Sequence, residues 1–175
     1  MRSLSMVVLS LLLAPLAGCL TVLKQGYAEI VGAQGTLLLI NEVGPQALRP
    51  YQSISFESAT TTMGEKLAPR TLISAYDDAA REMVRAMPPR AFPGGQPGLS
   101  VTSEVLYFQR KGLLSAAMSL VRVRISDDSR LIVDGVLRTE SSSFRAGAEE
   151  DLAVASMKAL REFLESQKGI EREED

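Results

Sequence analysis

The chain predicts an α+β fold, a two-layer sandwich whose mostly antiparallel sheet packs on two helices in strand-helix-strands-helix order. Three observations carry it. Tyr51–Ser58, Leu99–Arg110 and Val121–Ser143 show strand patterning and are separated by turn chemistry. An amphipathic helical stretch opens at Pro69, and a second closes the chain between Gly147 and Gln167. Each helix has one apolar stripe and the sheet has an apolar face, so stacking the two layers hides both.

Taken in order, Thr36–Val43 (TLLLINEV) is a short continuous apolar run that reads as a buried strand, ended by Gly44-Pro45. In Tyr51–Ser58, Ile54 and Phe56 share one face, the mark of a half-buried strand. Thr-rich residues 59–68 form a loop. From Pro69, Leu72, Ile73, Tyr76, Ala79, Ala80, Met83, Val84 and Met87 recur at spacings of three and four, and Pro88-Pro89 stops the helix. Leu99–Arg110 places Val101, Val105 and Tyr107 on one parity and Leu106 and Phe108 on the other.

Val121–Ile125 and Leu131–Leu137 make the clearest hairpin. Pairing Ile125 with Leu131 and Val123 with Val133 sets Arg122 opposite Asp134, across a turn of Ser126–Arg130. The closing helix carries Leu152, Ala155, Met157, Leu160, Phe163 and Leu164, with Glu149, Glu150 and Asp151 at its positive N-terminal end. Lys168-Gly169 is its expected stop.

The first residues describe location. Arg2, an apolar run from Leu4 to Leu16, then Ala17 and Gly18 precede Cys19, the single cysteine of the chain. A charged start, a short apolar core and small residues before a cut make a secretory signal peptide, and the run is shorter than the roughly 20 residues that span a bilayer. Leu16-Ala17-Gly18-Cys19 resembles the lipobox of bacterial lipoproteins. That resemblance implies cleavage before Cys19, a diacylglyceryl thioether on its sulfur and acylation of the new N-terminus, which supplies the several hydrophobic signals that stable anchoring requires. Residues 1–18 are then a signal peptide and 19–35 the lipidated N-terminus and tether. Residues 36–168 form one domain, and 169–175 an acidic tail. Leu20, where aspartate would signal retention in enteric-type sorting, is compatible with transfer to the outer membrane.

Composition narrows the function. With 19 basic against 21 acidic residues there is no cationic surplus for a nucleic-acid backbone. The chain has no histidine and no tryptophan. Imidazole acid–base pairs, Ser-His-Asp and Cys-His nucleophiles and Cys/His zinc sites are thereby excluded, and no disulfide closes the domain. Glu57, Asp77, Asp78, Glu82, Glu104, Asp127, Asp128 and Asp134 show no spacing that selects two facing acids. Asp127-Asp128 lacks the ligand spacing of a calcium loop, and Gly94-Gly95 lacks the lysine of a phosphate loop. The reading is of a non-enzyme with no catalytic residue, metal or cofactor.

The lipobox, the element order, Ala47–Ile54 and Val121–Asp128 together resemble small envelope lipoproteins of the DUF4410 type. The resemblance extends more distantly to the N-terminal domain of the Tol translocation protein, the curli-secretion lipoprotein and lipoprotein activators of cell-wall synthases. It implies an accessory or scaffold protein, lipid-anchored in the bacterial cell envelope at the periplasmic face of the outer membrane, that binds another envelope component. Two rivals stay open: a carrier subunit holding a lipid or other hydrophobic ligand, and a subunit of an oligomeric export complex. Gly112–Leu120 (GLLSAAMSL) is an uncharged apolar connector, whereas connectors are usually polar. Either the flanking strands extend through it and bury it, or Leu113, Leu114 and Met118 contact a partner or the membrane.

Overall fold

A computed structural model describes residues 32–112, 115–141 and 148–170. Strands β1 (Gln34–Leu39), β2 (Ser53–Phe56) and β3 (Thr60–Thr61) precede helix α1 (Arg70–Ala86). Strands β4 (Gly98–Gln109), β5 (Ala117–Ser126) and β6 (Leu131–Ser141) and helix α2 (Ala148–Lys168) follow. The six strands form one sheet in the order β1-β6-β5-β4-β2, with β3 also on β4. Pairings β1–β6, β6–β5 and β5–β4 are antiparallel, while the short β2 and β3 run parallel to β4. This is the mixed two-layer sandwich that the alternating strands and one-sided helices imply.

The helices cover one face. Along β5, Ala117, Ser119, Val121, Val123 and Ile125 are buried while the residues between them are half-exposed. Leu72, Tyr76, Met83, Leu152, Leu160 and Leu164 meet that face from the helices, as their spacing demands. β1 approaches α2 so closely that a Cβ on Gly35 would stand 2.5 Å from the Ala155 carbonyl oxygen, so only glycine fits there. Gln34 and Gly35, expected in the tether, are therefore part of the sheet.

Two sequence expectations are corrected, and one open alternative is narrowed. Ile125 pairs with Val133 and Arg124 with Asp134, a two-residue shift from the expected hairpin register, because an irregularity after Ile125 leaves Ile132 as an extra residue on β6. A shift of two keeps Val121, Val123, Ile125 and Val133 on the inner face, but Leu131, beyond the extra residue, pairs with Ser126 and turns outward instead of facing inward with Ile125. In β4, a bulge between Val105 and Tyr107 reverses the parity, so Phe108 is buried and Tyr107 faces out. As for the open alternative, β5 begins at Ala117, so a flanking strand does extend through the second half of Gly112–Leu120.

Helix ends follow local chemistry. Pro69 caps α1 with extended backbone. At the end of α2, Gly169 has φ +70°, its N–H donates to Ser166 O at 3.0 Å and the Ile170 N–H to Glu165 O at 3.0 Å. That pair of bonds is a Schellman motif, which satisfies carbonyls the helix would otherwise leave open.

Candidate functional site

The face of the sheet that the helices do not cover, together with its outer strand β1, is the surface left available among the described residues. Crossing the open face, register rows run Gln109–Met118–Glu140–Gln34, then Tyr107–Leu120–Arg138–Thr36, then Glu104–Arg122–Val136–Leu38, then Arg124–Asp134. Charges on this face neutralise each other. Arg122 donates to Asp134 from Nε at 2.9 Å and from a terminal nitrogen at 2.6 Å, a bidentate diagonal pair in place of the expected direct one. That guanidinium holds the Asp134 carboxyl below the ordinary carboxylate range despite the opposing effect of burial. Arg138 pairs with Glu140 along β6.

Strand β1 is the outer edge, and its apolar run is exposed. Leu38, Leu39 and Ile40 keep 53%, 45% and 60% of their surface in solvent, which overturns the expectation of a buried strand. The reason is position: a continuous apolar run implies cover on both faces, but here one side of the strand has no neighbour among the described residues. The Ile40 N–H donates to Asp134 O at 2.8 Å, which makes Ile40 a bonded partner of β6. Bonded and non-bonded pairs alternate in an antiparallel ladder, so Gly35, Leu37 and Leu39 turn their N–H and C=O groups outward. Asn41 fixes the end of this edge, donating from Nδ2 to Ile132 O at 2.9 Å and accepting at Oδ1 from Asp134 N at 2.7 Å. Sequence reasoning missed Leu38, Leu39 and Ile40. The signal available to it was an apolar strand carrying none of the lysines, prolines or bulges that protect free edges.

Other polar groups are built into the fold. Tyr76 Oη lies 2.8 Å from Ser119 Oγ and 3.0 Å from Ser156 Oγ, which lies 2.6 Å from Thr139 Oγ1, all buried between sheet and helices. Burial pushes the Tyr76 phenol up, against the lowering effect of its two serine bonds, so it stays neutral. At the far end of the hairpin, Asp127 Oδ1 accepts from Ser129 N (2.8 Å), Ser129 Oγ (2.7 Å) and Arg130 N (2.9 Å), while Oδ2 accepts from Tyr51 Oη (2.6 Å). These bonds form an Asx-type turn that holds the hairpin loop.

Of the site residues expected from sequence, Met118 is half-buried on the open face of β5, with Gln109 and Glu140 beside it across the strands. Cys19, Leu113 and Leu114 lie outside the described residues. Six of the eight acids are engaged structurally, Asp127 and Asp134 as described above. Asp77 accepts from the Ala59 N–H at 2.7 Å, Glu57 from Ser100 Oγ at 2.9 Å, and Asp78 and Glu82 pair with Arg81 and Arg85 on the exposed face of α1. Among the described residues no group of three or more Cys, Asp or Glu is placed to hold a metal ion, and no helix is long and apolar enough to cross a membrane.

Fold and surface define a class: among the described residues, an α+β sandwich with helices on one face of the sheet, none on the other, and an apolar edge strand with no neighbour on its outer side. No family model and no curated protein matches the chain. Among solved structures it is similar to the PelC dodecamer from Paraburkholderia phytofirmans, with 16% identity and a TM-score of 0.46 over 73% of this chain and 96% of that one. It is also similar to the hypothetical protein CT253 from Chlamydia trachomatis, with 12% identity and a TM-score of 0.44 over 68% and 99%.

Proposed function

We propose that the chain is a non-catalytic accessory lipoprotein, anchored through Cys19 at the periplasmic face of the bacterial outer membrane, that binds a protein partner by adding the partner's strand to β1. The exposed apolar edge carries this reading. Outward N–H and C=O groups of Gly35, Leu37 and Leu39 offer main-chain hydrogen bonds, and Leu38 and Leu39 lie on opposite faces to receive alternate side chains. Such an edge is an aggregation hazard when bare, so a partner that covers it accounts for its chemistry. The rival carrier reading has less support, because buried side chains such as Leu48, Leu72, Tyr76 and Ile125 fill the space between sheet and helices. Grooves of about 390 Å³ and about 710 Å³ lie along α1, and both are rimmed by its charged residues.

The test is a photo-crosslinking residue at Leu39 in the full chain, produced in cells, with the adduct identified by mass spectrometry and rebuilt from purified proteins. The expected result is one heteromeric adduct with an envelope protein, joined through an extended segment of it. Leu38→Lys, at a position half open to solvent, removes that adduct and leaves the melting temperature unchanged. Adducts of the chain with itself alone, or none, overturn the strand-addition reading. A lipid co-purifying in fixed ratio without a protein adduct establishes the carrier instead.

A further inference from the structure

Met118 and Leu120, the strand half of the apolar connector, sit at one end of the open sheet face, where the chain's N-terminal segment also leaves the sheet. β1 starts at Gln34, in the same register row as Glu140, Met118 and Gln109. Neighbouring strands lie about 4.8 Å apart, so Gln34 is roughly 10 Å from Met118 along that row. The adjacent row holds Leu120 and Tyr107 side by side, and Tyr107 and Leu106 are each 40% exposed. Ordinarily a strand's alternation would hide one of these two, but the bulge between Val105 and Tyr107 leaves both outside. Tyr107 also keeps its hydroxyl wet, donating to Gln109 Oε1 at 3.0 Å on the exposed surface. Exposed Arg110 follows β4 directly. Apolar side chains, a tyrosine with its polar tip outward and a cation form the composition that suits the boundary between acyl chains and headgroups.

We infer that this end of the sheet, through Leu106, Tyr107, Met118 and Leu120, rests on the lipid surface that holds the anchor. The inference builds on the proposed acylation of Cys19, and it fixes an orientation that acylation alone does not. Residues 20–33 separate Cys19 from β1 and reach at most about 50 Å when fully extended. Contact at the end where β1 starts needs little of that reach. Contact at the opposite end, near Asp127, would need most of it, because β6 alone measures roughly 35 Å at the rise of an antiparallel strand. The membrane-facing end is therefore the one where β1 begins, and Leu38, Leu39 and Ile40 lie further along the strand, away from the bilayer and open to a partner.

The experiment uses the full chain purified with its native N-terminus and placed in vesicles of phosphatidylethanolamine and phosphatidylglycerol. An environment-sensitive fluorophore is attached to Tyr107→Cys, to Met118→Cys and, as the control at the opposite end, to Ser129→Cys. Quenchers are carried either on the acyl chains or in the water. Labels at 107 and 118 are expected to shift to shorter emission wavelength and to be quenched several-fold more by acyl-chain quencher than the label at 129. Equal, water-type quenching at all three positions overturns the inference. Amide hydrogen exchange of the unsubstituted protein gives a second readout. Added protection at the start of β5 and the end of β4 in vesicles supports the contact, and unchanged protection there overturns it. Intact mass of the same samples separates the two readings. Acylated Cys19 with aqueous labels ends the orientation but leaves the anchor standing. Unmodified Cys19 with lipid-quenched labels ends the anchor but leaves the contact standing.

Discussion

Asp127 shows how one carboxylate holds a turn together. The hydrogen bond from Tyr51 lowers its pKa most, followed by the bonds from Ser129 and the Arg130 N–H, and together they outweigh partial burial. Its folded pKa is depressed below the unfolded value of about 4. The native state thus binds fewer protons than the unfolded chain, and the stability that Asp127 contributes is fully present above the unfolded pKa. That stability is lost as pH falls through the carboxylate range toward the folded value. Asp134, held down chiefly by its bonds from Arg122, has the same sign. Urea midpoints measured from pH 7 downward are expected to fall below about pH 4, and Asp127→Asn should flatten that fall while lowering the midpoint at neutral pH. A variant whose midpoint tracks the parent at every pH contradicts the assignment. Both acids stood out in the sequence, Asp127 as a turn residue and Asp134 as a cross-strand partner. The Tyr51 hydroxyl, 76 positions away from Asp127, did not. Local patterns reveal a turn, but nothing local reveals which distant side chain closes over it.

At the scale of elements, the two helices meet the sheet through hydroxyls as well as hydrocarbon. Tyr76 belongs to the apolar stripe of α1 by spacing, yet its hydroxyl joins Ser119 of β5 to Ser156 of α2. Tyr76→Phe removes one group and strips Ser119 of this buried partner, while Ser156 keeps Thr139. A buried hydroxyl left without its partner costs about 1–3 kcal/mol. Chemical denaturation should therefore show Tyr76→Phe less stable by that order, and adding Ser119→Ala should recover part of the loss, because the unmatched group is then gone. A double variant that is simply the sum of the two losses argues against a shared bond. Element types were legible here because periods of two and three to four are strong signals over long segments. Three features were not: the parity switch at Leu106, the two-residue register shift at Ile132 and the exposure of Leu38. A bulge adds a residue without changing composition, and edge or centre is a property of the whole sheet's strand order.

For the whole molecule, the end away from β1's start is stapled by contacts distant in sequence. The Lys168 ammonium donates to the carbonyls of Tyr51 at 2.6 Å and Arg49 at 3.2 Å, and lies 4.9 Å from the centre of the Phe92 ring. Gln167 Oε1 accepts from the Ala47 N–H at 3.0 Å, and Gln52 N donates to Pro97 O at 2.8 Å. The last turn of α2 is thereby tied to the segment entering β2 and to the loop entering β4. Lysine at 168 was legible as a helix-terminal residue that complements the dipole, but its carbonyl partners belong to residues some 117 positions earlier and are set only when the layers close. Lys168→Met keeps the stem that packs beside Phe92 and removes every donor. Loss of charged hydrogen bonds to carbonyls is worth about 1.5–3 kcal/mol, less where water can replace the lysine. The expected result is a lower melting temperature. Amide exchange should be faster in residues 47–52 and in the Schellman turn at Gly169, while the amides of β5 change only with the global stability. Uniform acceleration across the sheet would mean that Lys168 supports the whole core. A local change confined to the staple would mean that this end can loosen without disturbing the strand pairs that hold β1 in the sheet.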